Sequence, residues 1–410
     1  MKRPYLTKHR LGELIEVTRG ASLSGEYYAE EGKLVRLTLG NFDLNGGGFK
    51  LNTSKTDLYF TGPVKENFIL SKGDIITPLT EQTIGLLGAT ARIPESGKYI
   101  QSQDVALIRC KEGLLYPNYC YYLISSKMVR NQLSAAAQQT KIRHTSPDRI
   151  KDCTVCIPSY EEQVRIGDLL VEIDEKINLN KSINHNLEAI AKQLYDYWFV
   201  QFDFPDENGK PYKSSGGKMV WNEKLKREIP GGWEVTNIGS ILDKVFITPR
   251  LSTDEYLPSG TYPIIDQATD VYYAGFTERE EAVVNQYPAI VFGDHSCAVK
   301  YVNFPFVRGA DGTQVILSKD SNIPIEYLYY AMKGVKIGKG YARHFSFLKE
   351  QPVIVPSEKE VKDFEDTAQT SFEQITRNRK EILSLTKQRD ELLPLLMNGQ
   401  VSLNYDLSNG

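Results

Sequence analysis

Two long stretches of the chain carry apolar residues at the seven-residue spacing of a coiled coil. Residues 159–200 contain no proline and a single glycine, Gly167, which weakens a helix without ending it. The apolar residues of this stretch fall on two rows, one with Ile166, Ile173, Leu187 and Leu194 and the other with Leu169, Ile183, Ile190 and Tyr197. The corresponding row farther along the chain is Val361, Phe364, Ala368, Ile375, Ile382, Leu385 and Leu392. The pattern predicts two long helices, residues 158–200 and 356–400, that pair as a coiled coil.

Both predicted helices begin in the same way and carry a polar residue at the same place. The motif Pro-Ser-x-x-Glu occupies residues 158–162 and again residues 356–360, and its serine and glutamate form a capping box for the first turn. Asn180 and Asn378 interrupt the two apolar rows. A polar residue in a coiled-coil seam fixes the register at some expense of stability. The alternative is that these helices belong to some larger bundle.

The other two long segments alternate short β-type runs with glycine-containing turns. In residues 1–157 a helical pattern from Asn118 to Leu133 leads into a strand that ends at Ile157. Residues 233–355 repeat this order, and Ala289–Asp294 stands where residues 73–76 stood. The predicted fold class is therefore α/β (α+β), with two similar mixed α/β domains separated by the two helices. Residues 201–232 are predicted to be a linker and residues 401–410 a C-terminal tail.

The chain also repeats itself at the level of individual residues. The sequence around Ile177 is repeated without a gap around Ile375, at an offset of 198 residues. Helices that pair within one chain in this order must run antiparallel, which relates the two domains by an approximate two-fold axis. About 40 residues at 1.5 Å each give roughly 60 Å, comparable with about 18 steps of duplex DNA. Two similar domains held at a fixed separation fit a bipartite DNA site.

Composition sets limits on the class of protein. A length of 410 residues suggests two to three domains. The five cysteines do not form a disulfide framework, and Cys153 and Cys156 lie on a predicted strand where residues three apart face opposite sides. We therefore predict structural thiols and no metal site. No apolar run approaches the roughly 20 residues of a membrane span, so we expect a cytoplasmic protein without membrane association.

The distribution of charge is more informative than the net charge of -3. Residues 159–200 have eight acidic and four basic side chains, whereas residues 130–151 have five basic and one acidic, and residues 333–350 have the same balance. Local basic segments of this kind are typical of surfaces that face DNA phosphates. The predicted backbone contacts are Lys141, Arg143 and His144 in one domain and Lys339, Tyr341, Arg343 and His344 in the other. The alternative for the repeated Arg-His pairs is that they brace the last strand of each domain.

Polar loop residues of both domains are candidates for contacts to base edges. Arginine pairs with guanine, and asparagine or glutamine with adenine, in the major groove. The candidates are Arg36, Asn41, Gln82, Arg250, His295 and Lys300. The alternative for each of them, taken singly, is an ordinary surface residue, and the chemistry alone favours that alternative.

Three stretches of the sequence resemble one protein family. They are Leu187 to Phe204, Glu228 to Glu234 and Leu385 to Gly399, and together with the repeated Pro-Ser-x-x-Glu motifs they are similar to the specificity subunit of type I restriction-modification systems. Tyr262–Asp266 and Phe292–His295 further resemble one common type of target-recognition domain in that family. The resemblance covers essentially the whole chain and is weaker in the two domains. The specificity subunit of a related two-component restriction enzyme is a close variant.

The resemblance implies a non-catalytic protein that directs other subunits to a DNA sequence. Each domain would be a target-recognition domain for one half of a bipartite site, and the helices would set the spacer. The implied partners are double-stranded DNA, two adenine-modifying methyltransferase subunits that carry S-adenosylmethionine, and restriction subunits that use ATP and Mg²⁺. This chain would bind no cofactor itself. The seam residues implied to hold the coiled coil and the partners are Ile173, Asn180, Leu187, Leu194, Ile375, Asn378, Leu385 and Leu392.

Missing motifs agree with a protein that binds rather than catalyses. Gly334 to Gly340 is glycine-rich but lacks the spacing of a phosphate-binding loop, and no Asn-Pro-Pro-Phe/Tyr stretch of an amino-methyltransferase occurs. The alternatives are a coiled-coil scaffold with two protein- or glycan-binding domains, and an enzyme with an unfamiliar site. A steep loss of affinity with rising salt would distinguish DNA binding from the scaffold.

Overall fold

The computed structural model describes residues 6–43, 47–81, 85–136, 143–243, 248–320, 322–338 and 344–403. The chain divides into two compact units, Met1–Asn178 with Ile382–Gly410, and Leu179–Glu381. Each unit therefore contains one mixed domain and a portion of both long helices.

Short strands and short helices build the domain of the first unit. Its strands are β1 Thr7–Arg10, β2 Ile15–Arg19, β3 Tyr28–Ala29, β4 Leu34–Arg36, β5 Tyr59–Phe60, β6 Ile75–Pro78, β7 Thr80–Glu81, β8 Ala91–Arg92, β9 Tyr99–Ile100, β10 Val105–Cys110, β11 Arg143–His144 and β12 Thr154–Ile157. Its helices are α1 Leu11–Leu14, α2 Pro117–Ser125, α3 Lys127–Ala136 and α4 Pro147–Asp152. Two four-stranded sheets, β2-β10-β6-β8 and β3-β5-β4-β9, are joined by the pairs β1-β12 and β7-β11.

The first long helix, α5, spans Tyr160–Tyr195 and continues as a π-helical turn over Asp196–Val200. The strands that follow are β13 Met219–Asn222, β14 Arg227–Pro230, β15 Glu234–Asn237, β16 Leu242–Asp243, β17 Tyr262–Ile265, β18 Gly275–Thr277, β19 Val283–Val284, β20 Ala289–Gly293, β21 Val299–Val302, β22 Phe306–Arg308, β23 Thr313–Ser318 and β24 Pro352–Val355. The remaining helices are α6 Ile238–Ile241, α7 Ile325–Lys333, α8 His344–Glu350 and the second long helix, α9 Glu358–Met397.

The main sheet of the second domain has the strand order of the first, as the repeat predicted. This sheet is β16-β23-β20-β21, and β20 therefore holds the place of β6, where the sequence had put Ala289–Asp294. In the first domain, β1 pairs antiparallel with β12, the strand before α5. In the second domain, β15 pairs antiparallel with β24, the strand before α9. The mixed α/β class is confirmed.

The two long helices run antiparallel within each unit. In the first unit, Asp174 of α5 lies 2.8 Å from Arg389 of α9, while Glu162, earlier in α5, accepts a hydrogen bond from the amide of Leu403, beyond α9. In the second unit, Asn184 accepts a hydrogen bond from Asn378, and the ring of Tyr195 lies 6.0 Å from that of Phe364. Within each unit, residues later in α5 therefore contact residues earlier in α9.

One of the two predicted rows of α5 is correct and the other is wrong. Ile166 and Ile173 are buried, and Leu187 and Leu194 are half-buried. The second buried row lies one residue later than predicted and consists of Leu170, Ile177, Asn184, Ala191 and Trp198. Of the residues assigned to this row, Leu169 is half-buried against the core, whereas Ile183, Ile190 and Tyr197 are exposed. Their hydrophobicity marks an outward face of the helix and not its contact with α9.

A buried amide pair fixes the register of the helices in the second unit. The sequence placed Asn180 and Asn378 in the seam, and both are buried. The partner of Asn378 is Asn184, whose Oδ1 accepts a hydrogen bond of 2.8 Å from Asn378 Nδ2. Asn378 Oδ1 in turn accepts a hydrogen bond of 2.7 Å from Gln374 Nε2, so Asn378 is bonded through both amide atoms in a place where an unpaired polar group would be costly.

We predict opposite effects for single and double substitution of this pair. Asn378→Leu alone leaves the Asn184 amide buried without its partner and should cost about 1–3 kcal/mol of unfolding free energy. Asn184→Leu with Asn378→Leu replaces the pair with apolar side chains of similar size and should recover that loss. Urea denaturation of both variants measures the difference. Equal stability of the single and double variants would contradict the pairing.

The predicted linker, residues 201–232, is folded. The ring of Phe204 stacks on Tyr212 at 4.6 Å and on Trp233 at 4.9 Å. The carboxylate of Asp203 accepts two hydrogen bonds of 2.7 Å from the amide and hydroxyl of Ser214, which lower the pKa of Asp203. Strands β13 and β14 then form a hairpin. Pro, Gly and Ser in this segment are therefore turn residues of a small packed module.

Candidate nucleic-acid interface

In the first unit, the pairing of β7 with β11 brings two predicted DNA-contacting segments to one place. Arg143 is registered with Glu81, and His144 with Thr80. Because the strands are antiparallel, the chain leaves β7 and arrives at β11 at the same end of the ladder. Gln82 follows β7 directly and Lys141 precedes β11, and both residues lie outside the described part of the chain.

Glu81 is the buried centre of this arrangement, with 1% of its surface exposed. Its Oε2 accepts hydrogen bonds of 3.0, 2.9 and 2.9 Å from the amides of Gly85, Leu86 and Leu87. Its Oε1 lies 3.0 Å from the guanidinium of Arg143. Arg143 thus holds β11 to β7 and not the last strand, β12, to its helix, while His144 is exposed beside it.

Removal of the Glu81 carboxylate should destabilise the first domain. Glu81→Ala leaves three amides and the Arg143 guanidinium without their acceptor, and breaking a buried pair in this way costs about 3–5 kcal/mol. We expect a lower urea midpoint and faster amide exchange at residues 85–87. Glu95→Ala, which removes a surface ion pair with Lys98, is the control and should leave the midpoint unchanged. Equal midpoints for the two variants would contradict this role of Glu81.

In the second unit, Asp294 brings two of the predicted residues together at the end of β20. Its Oδ1 accepts a hydrogen bond of 2.7 Å from the amide of Phe345, and its carbonyl oxygen lies 2.6 Å from Nδ1 of His344. His295 is the next residue and is exposed. Lys339, Tyr341 and Arg343, which precede His344, lie outside the described residues.

Gln267, which the sequence analysis did not select, joins the neighbouring loops. Its Nε2 donates a hydrogen bond of 2.7 Å to the carbonyl of Asp311, and its Oε1 accepts one of 3.2 Å from the amide of His295. Arg250 is exposed and lies 2.5 Å from the Asp311 carboxylate. We call Arg250, Gln267, His295, Asp311 and His344 the second-domain polar cluster.

Gly312 makes this cluster possible because it adopts a left-handed conformation. Its φ is +78°, and a Cβ there would lie 2.7 Å from Cδ2 of His295. Any larger residue would displace the imidazole. The signal in the sequence that could have found Gln267 is its position just after the buried strand β17, where a chain leaves a sheet.

Three predicted base-contacting residues are buried. Asn41 forms a capping box with Thr38, and Arg36 stacks on the ring of Tyr28 at 3.8 Å. Lys300 donates a hydrogen bond of 2.8 Å to the carbonyl of Val271, and burial lowers its pKa against the opposing effect of Asp266. These side chains support their own loops, and their burial argues against contact with bases.

The described ranges contain neither a metal-type cluster of side chains nor a membrane-spanning helix. No group of three or more His, Cys, Asp or Glu side chains there is arranged to hold a metal ion. No helix in those ranges is long and apolar enough to cross a membrane.

A family model described as the type I restriction modification DNA specificity domain matches residues 6–189 and 230–386. The chain belongs to this family. The two matches take in both mixed domains and most of both long helices, so the duplication seen in the fold is a duplication of the specificity domain. The resemblance carried by the helix sequences is thereby confirmed.

Individual members of the specificity family are similar along most of the chain. The MjaIX specificity subunit of Methanocaldococcus jannaschii is 26% identical over 317 residues, which are 71% of this chain and 70% of that protein. The HindI specificity subunit of Haemophilus influenzae is 23% identical over 375 residues, with 74% of this chain and 81% of that protein covered. The crystal structure of a type I restriction-modification S subunit from M. genitalium has the same fold, with a TM-score of 0.61, 18% identity and 97% of both chains covered.

Proposed function

We propose that this chain gives a type I restriction-modification enzyme its DNA sequence specificity, and that each mixed domain reads one half of a bipartite target. The observation that carries the proposal is the duplicated specificity domain, matched in two separate stretches of one chain. The named relatives are specificity subunits, the non-catalytic components of such enzymes. The scaffold alternative is not favoured, because it explains neither similarity. A cytoplasmic location, with access to DNA, belongs to the same proposal.

The surfaces that we propose for DNA contact differ between the domains. In the first, they are exposed His144 together with Gln82, which follows β7 in the sequence, and Lys141, which precedes β11. In the second, they are the polar cluster with its exposed Arg250 and His295, and the basic segment of Lys339, Tyr341 and Arg343. Arginine and histidine on rigidly bonded loops suit contacts to phosphates and base edges.

We further propose that two methyltransferase subunits dock on the long helices. An exposed apolar row on α5 supports this proposal: Leu179, Ile183, Ile190, Tyr197 and Val200 are 36–60% exposed. We call these five residues the outer apolar row. Their spacing of three, four and seven residues places them along one side of the helix. A row of this length on a helix that already pairs with α9 is suited to a further helix from a partner.

The chemistry of the complex would then belong to its partners. The methyltransferase subunits would hold S-adenosylmethionine and modify one adenine in each half-site. The restriction subunits would use ATP and Mg²⁺ for translocation and cleavage. This chain would bind no cofactor and would supply the target sequence.

The test is to co-express the chain with its cognate methyltransferase subunit and to map methylated adenines across the host genome by single-molecule sequencing. A bipartite motif with a fixed gap is the expected result. Substitution of His295 by alanine should relax only the half-site read by the second domain, and His144→Ala only the other. A well-folded complex that methylates no defined motif would overturn the proposal.

A further inference from the structure

A cavity in the second unit lies beside the end of α5. It has a volume of about 460 Å³ and is enclosed by the π-helical turn, the β13-β14 hairpin, the end of α7 and strand β24. Its floor is aromatic and is formed by Tyr195, Phe199, Tyr327 and Tyr330, all of them buried. A cavity of this size and lining fits a large apolar side chain.

The rim of the cavity is basic. Lys192, Arg227 and Lys336 line it together with one carboxylate, that of Asp196, which forms an ion pair with Lys192. The Arg227 guanidinium donates a hydrogen bond of 2.9 Å to the carbonyl of Val200 and lies 4.5 Å from the centre of the Phe202 ring. Within the described ranges, neither Arg227 nor Lys336 forms an ion pair with a carboxylate. The rim therefore carries a net charge of +2, since three basic side chains face one carboxylate.

The hairpin that forms one wall of the cavity presents an exposed tryptophan. Trp221 is 54% exposed and Val220 is 46% exposed, and the indole Nε1 of Trp221 donates a hydrogen bond of 2.9 Å to Glu223. The same hairpin lines the cavity through Leu225 and Arg227, and exposed tryptophan is typical of protein interfaces. The cavity is continuous with the outer apolar row, because Val200 belongs to that row and also lines the cavity.

We propose that the methyltransferase subunit docked on the outer apolar row inserts a large apolar side chain, flanked by carboxylates, into this cavity and packs against Trp221. This proposal rests on the proposed function and adds a second, specific anchor to it. The apolar floor selects the inserted side chain, and the unbalanced basic rim selects its acidic neighbours. Duplex DNA offers phosphates for the rim but keeps its bases stacked and so offers nothing for the floor.

Site-specific photocrosslinking in the assembled complex tests the proposal. p-Benzoylphenylalanine is placed at Trp221, at Ile190 of the outer apolar row, and at Leu257, a control with 44% exposure in the second domain. We expect crosslinks to the methyltransferase subunit from positions 221 and 190 and none from 257. The peptide crosslinked at 221 should contain a large apolar residue beside aspartate or glutamate.

The other outcomes separate the two proposals. A crosslink from position 190 without one from 221 would overturn the cavity anchor and leave docking on the helix intact. No crosslink from either position would overturn both. A crosslink from 221 to DNA would replace the protein partner with nucleic acid.

A charge reversal gives an independent measurement. Lys336 is exposed, so Lys336→Glu should fold normally but repel the flanking carboxylates and raise the Kd for the methyltransferase subunit by about tenfold. Lys362→Glu, at an exposed position of α9 that does not line the cavity, is the matched control. An unchanged Kd for Lys336→Glu, measured by calorimetry at low salt, would contradict the proposed acidic partner.

Discussion

Substitution of Ile183 and Ile190 by aspartate will release the methyltransferase subunits and leave the chain folded. Ile183 is 36% and Ile190 58% exposed, and neither belongs to the buried core, so the substitutions should be tolerated by the fold. In the complex, each loses about 2 kcal/mol of apolar burial and adds a charge that must be desolvated. Two such losses should raise the Kd by at least about a thousandfold. Calorimetric titration measures it, and adenine methylation should disappear with binding.

The matched control for this experiment lies on the same helix. Lys181 and His185 are exposed, four residues apart, and not part of the outer apolar row. Lys181→Asp with His185→Asp should therefore bind the methyltransferase subunit with little change. Equal loss of binding in both double variants would indicate a general effect of charge on α5 and would contradict docking on the row.

The mistaken seam row shows where reading a sequence by hydrophobicity fails. An isoleucine is an apolar signal whether it faces another helix or a partner subunit, and α5 has both faces. Asn184 and Ala191 occupy true seam positions but have weak apolar signals. The row of Ile166 and Ile173 was predicted correctly because its apolar residues do face the core. Two apolar faces on one helix are themselves the sign of a second contact.

The architecture of the domains was predictable because the sequence contains two copies of the same pattern. A buried strand such as β10 is a continuous apolar run, and the repeat allowed β20 to be matched with β6. The helical pattern from Asn118 to Leu133 was found, although the structure divides it between α2 and α3. The order of strands within each sheet depends on pairings between distant residues, which no local pattern specifies.

The candidate site was less predictable than the fold. Arg36, Asn41 and Lys300 have the right chemistry for bases, but their burial depends on contacts with residues far along the chain. The position of Gln267 after a strand was a weak signal, and its role follows from its bonds to His295 and Asp311, which are 28 and 44 residues away. Side-chain type suggests candidates, and tertiary contacts decide between them.

Removal of one heptad from each long helix will shorten the spacer of the recognised DNA by about three base pairs. The deletion takes residues 176–182 from α5 and residues 380–386 from α9, seven residues of about 1.5 Å rise each, or about 10 Å. It retains the Asp174–Arg389 ion pair and the Asn184–Asn378 hydrogen bond, and seven residues preserve the heptad frame of both seams. Methylation mapping in the host measures the spacer.

Neither half-site should change, because the residues proposed to contact DNA lie in the mixed domains and the deletion leaves them intact. The control is removal of residues 176–182 alone, which shifts α5 by one heptad against α9 and should abolish methylation of any defined motif. An unchanged spacer with altered half-sites after the paired deletion would contradict the proposal that the helices set the spacing. A spacer shortened by about three base pairs with both half-sites retained would establish that helix length, and not domain sequence, determines it.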